Sequence, residues 1–143
     1  MPPKRRPADD PVEWLNRARS NLARAKADIR IPHVYLEDLC FDAQQAAEKA
    51  IKAVLLKLRV PFPYIHDLAE LLDLVQKAGK SIPKPVRDAG RLTRFAVVTR
   101  YPGITEPLAR QDYKRAVRIA EQVLRWAEKL IAKNDDQRKK EYD

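Results

Sequence analysis

The chain of 143 residues has little glycine, cysteine or histidine: three Gly, one Cys and two His. So little glycine, beside 45% hydrophobic and 34% charged residues, fits a folded helical protein rather than a disordered one. The single Cys40 cannot form an internal disulfide, and its place on an apolar helix face makes it a small buried hydrophobe rather than a nucleophile. Two histidines without a cysteine cluster argue against a zinc site, so neither a metal nor a cofactor is expected. No apolar run approaches the roughly 18 to 20 residues that a membrane span needs. The opening "MPPKRRPADD" lacks the apolar stretch of a signal peptide, which points to a cytoplasmic protein. Walker, GxGxxG, GxSxG and HExxH patterns are all missing.

What the chain has is positive charge, +9 in all, and its placement matters. Lys4, Arg5 and Arg6 make residues 1–8 a basic, disordered N-terminus. Residues 134–143 read as a charged flexible tail of net −1. The remaining +7 belongs to a single folded domain over residues 9–133, which suits an anionic partner or simply keeps the protein soluble.

Prolines divide that domain into five helices. "DDPVEW" opens the first, with Asp10 as N-cap, Pro11 at the first helical position and Glu13 completing a capping-box pattern. Leu15, Ala18, Leu22, Ala25 and Ile29 follow on one face. The second runs from about Tyr35 to Arg59, the third from His66 to Ala78 with Gly79 as its stop, and the fourth from Pro85 to Arg100. The fifth, about Glu106 to Lys133, is apolar on two neighbouring faces, so it is expected to be buried on two sides. These elements predict an all-α up-and-down bundle of four long helices and one shorter one.

The second helix raises a question, because "LCFDAQQAAEKAIKAVLLKL" sets amides and charges among its alanines. Leu39, Ala43, Ala46, Ala47, Ala50, Val54 and Leu58 form its apolar face. Asp42, Gln45, Lys49 and Lys52 are spaced three, four and three apart, as one polar stripe, and read either as a wet face or as one wall of a groove. The fourth helix would supply the other wall, with Arg87, Arg91 and Arg94 on one face and Arg100 and Tyr101 beyond. Arginine forks bind phosphate bidentately, and a tyrosine can stack on a base.

"FDAQQAAEKAIKA", "HDLAELL", "TRYPG" and the long closing helix, in that order and spacing, resemble the HEPN domain family over roughly residues 11–133. The resemblance implies a prokaryotic helical bundle, usually a homodimer, often paired with a minimal nucleotidyltransferase in a toxin-antitoxin-like system. It also implies that some members are metal-independent ribonucleases, marked by Arg, four to six residues and then His at a dimer cleft. Arg91 and Arg94 have no such histidine after them, since Thr99, Arg100 or Tyr101 occupies the position. Arg59 and His66 meet the spacing only across the proline-rich "VPFPY" connection. Histidine suits proton transfer in RNA cleavage and arginine does not, so the expectation is a non-catalytic module. It would bind a nucleotide or nucleic-acid phosphate through Arg87, Arg91, Arg94, Arg100 and Tyr101, with Lys49 and Lys52 contributing and Asp42 and Gln45 lining the groove. The alternatives are a ribonuclease with His66 as its proton-transfer group and a purely structural protein-interaction bundle.

Overall fold

Asp10 ends its extended segment by accepting the Val12 N–H at 2.8 Å, and Pro11 starts helix α1, Pro11–Lys26. Glu13 does not close the expected capping box. Its carboxylate accepts the Arg6 backbone N–H at 2.8 Å and Arg17 Nε at 3.1 Å. Arg6 also pairs with Asp10, and the Trp14 indole donates to the Ala8 carbonyl. The end of the N-terminal segment, predicted to be disordered, is thus laid against α1.

The computed structural model describes residues 1–27, 31–96, 102 and 108–142, with side chains described as far as Ala132. Ile29, Arg100 and Tyr101 lie outside the described residues. Helix α2 spans Leu36–Lys57, α3 Leu68–Lys77, α4 Lys84–Arg87 and α5 Arg110–Tyr142. A nine-residue 3-10 helix, Asp88–Ala96, continues directly from α4. All elements are helical, and no strand occurs among the described residues. Helix α5 continues over residues 134–142.

Two helices end in the same way. The Val60 N–H reaches back to the Leu55 carbonyl, and Lys80 to Val75, while Arg59 (φ +57°) and Gly79 (φ +97°) take the left-handed position between. Both are Schellman closures, natural for Gly79 and strained for Arg59. At α3 Asp67 is the N-cap, accepting the Ala69 and Glu70 N–H groups.

Within the described residues, the expected fourth helix is not α-helical throughout. Only a single α turn forms before the chain tightens to three residues per turn. Gly90 faces α3, where even a Cβ would stand in ordinary contact, 3.5 Å from the Ala69 Cβ. The Thr93 hydroxyl accepts the Leu68 N–H at 3.1 Å.

Helices α1, α2 and α5 pack side by side, and α3 with the 3-10 helix covers another side of α2. The alanine face of α2 is fully buried at Ala43, Ala46, Ala47 and Ala50, which permits close helix approach. Around it Ile51, Leu55, Leu68, Leu71, Leu72 and Leu92 are sealed from solvent, each such side chain contributing about 1.5–3 kcal/mol. On one expected apolar face of α5, Tyr113, Ala120, Leu124, Ala127 and Ile131 are buried and Val117 is half-buried; on the neighbouring face Ile119 and Val123 are buried, Trp126 and Leu130 only half-buried.

Candidate functional site

The polar residues of α2 are neither a wet face nor a groove wall facing the arginines. Asp42, Gln44, Glu48 and Lys52 are buried, Gln45 and Lys49 half-buried, and they divide into two groups. Asp42 and Lys49 turn towards α1, where Asn21 donates to Asp42 Oδ1 at 3.1 Å and accepts from Lys49 Nζ at 2.6 Å. Arg24 stands 3.6 Å from the other Asp42 oxygen. Burial pushes the Lys49 ammonium below its usual range. This group is a clasp between two helices.

The second group centres on Glu48, one of the charged residues left out of the predicted stripe. Its carboxylate takes Gln44 Nε2 at 3.1 Å, Lys52 Nζ at 3.2 Å and His66 Nδ1 at 3.0 Å. Gln45 donates to Gln44 in turn, so it too serves this network rather than a groove. Lys52 is 5% exposed, with the rings of Phe62 and Tyr64 5.7 and 5.8 Å from its ammonium. An ionised carboxylate can only accept, so the imidazole donates to it from Nδ1. The imidazole is half exposed, and the Tyr64 ring meets it edge-on.

The arginines separate as well. Arg87 donates to Asp73 at 2.8 Å and to Gln76 at 2.6 Å across α3, so it no longer shares a face with the other two. Arg91 and Arg94 lie one 3-10 turn apart and line a cavity of about 300 Å³ between this helix and α5. Leu92, Phe95, Ala116 and Ile119 make its apolar floor, and Asp112 and Arg115 face in from α5. The Arg94 guanidinium lies over the Phe95 ring at 4.7 Å. Arg91, Arg94 and Arg115 form no ion pair among the described residues, and neither Lys49 nor Lys52 reaches this cavity. Arg115 and Asp112 were missed by sequence reading; their spacing of three on the polar face of α5 was the available signal.

Two features exclude other chemistry locally. Burial raises the Cys40 thiol to about 12, assisted by nearby Glu37, so no thiolate forms near neutral pH. The first N–H groups of α3 are satisfied by Thr93 and Asp67, so that helix end offers no anion site.

The HEPN domain model matches residues 12–130. The chain belongs to the HEPN domain family. Among solved structures, this HEPN protein is similar to TT1696 from Thermus thermophilus, at 28% identity over 84% of this chain and 97% of that one, with a TM-score of 0.72. A second, ST0689, described as an archaeal HEPN homologue, shares the fold at 24% identity over 85% and 98% of the two chains, with a TM-score of 0.67. A search of curated protein sequences gave no match. No helix among the described residues is long and apolar enough to cross a membrane.

Proposed function

We propose that this HEPN domain protein is a cytoplasmic, homodimeric, non-catalytic module that binds a nucleotide or nucleic-acid phosphate in the cavity between the 3-10 helix and α5. It acts beside a minimal nucleotidyltransferase in a toxin-antitoxin-like pair. One observation carries the binding site: Arg91, Arg94 and Arg115 surround a cavity while remaining free of carboxylate partners among the described residues. Arg87, by contrast, is tied to Asp73 and Gln76. Unpaired guanidinium forks converging from two elements are suited to a phosphate.

Titration of ATP and short RNA into the protein at low salt is expected to show binding, weakened at least tenfold by Arg91→Glu with Arg94→Glu. Absence of binding by the native chain, or equal binding by the double variant, removes the site. Dimerisation is checked independently by light scattering, where a monomer at micromolar concentration ends that part of the reading.

A second reading is a metal-independent ribonuclease at His66. It is favoured by the Glu48–His66 contact, which holds a half-exposed imidazole by its Nδ1, the arrangement that orients a histidine for proton transfer. Incubation with RNA in chelator distinguishes the two: cleavage lost in His66→Ala selects the ribonuclease, and intact RNA eliminates it.

A further inference from the structure

Resting on the proposed anion site, we infer that Asp112 selects the ligand, making this a pocket for a single ribonucleotide monophosphate whose ribose hydroxyls donate to that carboxylate. The pocket holds three arginines and one acid, an excess of two positive charges. A phosphate monoester carries about two negative charges near neutral pH, so one such group balances the site. A volume of about 300 Å³ lies at the lower limit for ligand sites and suits one nucleotide rather than two.

The carboxylate then needs a reason. Asp112 Oδ2 accepts the Ala109 N–H at 3.0 Å, which holds it at the start of α5, and the other oxygen has no partner among the described residues. It stands one helical turn before Arg115 and makes no ion pair with it or with the two arginines opposite. A carboxylate repels phosphate, so the phosphate is driven to the arginines and the rest of the ligand must present donors to Asp112. A ribose diol does so, and pairing of an acid with ribose hydroxyls is a recurrent device in nucleotide sites.

Calorimetric titration with AMP, 2′-deoxy-AMP and inorganic phosphate, on the native chain and on Asp112→Asn, tests this. The amide still accepts the Ala109 N–H, so α5 keeps its start. The native chain is expected to prefer AMP over the deoxy form by about tenfold, the worth of a hydrogen bond to a charged group in a partly open site. Asp112→Asn should bring the two within about twofold of each other. Equal affinity of the native chain for AMP and 2′-deoxy-AMP overturns the role of Asp112 but leaves the phosphate site standing. Discrimination that persists in Asp112→Asn also overturns it. Failure of all three ligands to bind at low salt overturns the underlying site itself. The native comparison needs no variant, so misfolding of Asp112→Asn would not protect the inference.

Discussion

Glu48→Gln removes one charge from a nearly isosteric side chain, and its cost follows from what Glu48 holds. The carboxylate is 4% exposed and is the acceptor for Lys52, which is 5% exposed. Breaking one partner out of a buried pair costs about 3–5 kcal/mol, because the remaining ion is left without compensation in a poorly solvated site. The Phe62 and Tyr64 rings beside Lys52 offset part of that, by about 0.5–1 kcal/mol each. The expected loss is therefore about 3 kcal/mol, a substantial part of the roughly 5–15 kcal/mol that holds a domain folded. At this size it corresponds to a fall in Tm of about 10 °C. Urea unfolding of the native chain, Glu48→Gln, Lys52→Met and the combined Glu48→Met with Lys52→Met measures it. Replacing both ions by apolar groups should recover most of the single-variant loss, since neither charge is then stranded. A Glu48→Gln variant that loses less than about 1 kcal/mol, or a double variant no more stable than the singles, refutes the pairing argument.

Gly79→Ala should destabilise by about 1 kcal/mol, read by denaturant midpoint, purely through the left-handed backbone; a Cβ there meets nothing within 4 Å, so steric crowding cannot enlarge the effect. Cys40 should resist thiol reagents at pH 8 in the folded protein and react once urea unfolds it; rapid labelling under native conditions contradicts its burial and its raised thiol value. Asp10 and Glu13 both sit below their ordinary values of 3.8 and 4.5, each chiefly through an accepted backbone N–H. Depressed carboxylates stabilise the fold fully above those ordinary values, and the contribution disappears as pH drops through the lower folded values. Thermal melts from pH 6 to pH 2.5 should show a smaller acid-induced fall for Asp10→Asn with Glu13→Gln than for the native chain.

Much of the fold was legible because its signals are local. Asp10 before Pro11, Gly79 after α3 and the alanine spacing of α2 each state a boundary or a face within a few residues. The polar stripe was misread because periodicity does not tell what covers a helix face. Asp42 and Lys52 differ by about 80° around the helix, enough for one to meet Asn21 and the other to lie beneath Phe62. Asn21 and His66 are remote in sequence from Asp42 and Glu48, so nothing local announced those contacts, whereas the Glu48–Lys52 pair four residues apart was a local signal. Arg87 parted from Arg91 and Arg94 for another reason: the 3-10 segment that carries the latter two has a different period, so α-helical spacing did not predict their face. The arginine cavity was therefore half legible, with the 3-10 wall in view and Arg115 hidden on a helix read only for its apolar faces.

The Tyr113 hydroxyl donates to the Ala25 carbonyl, inside the structure and 88 positions apart along the chain. Asn21 and Asp42, which join α1 to α2, are only 21 apart. Loop closure grows as (3/2)RT ln n, so the longer loop costs about 1.3 kcal/mol more to close, nearly a tenfold handicap in a search among chain conformations. Assembly should accordingly begin with the α1–α2 hairpin and finish with the arrival of α5. One wall of the arginine cavity belongs to α5, so the cavity is among the last features of the protein to come into being and among the first to vanish when it opens.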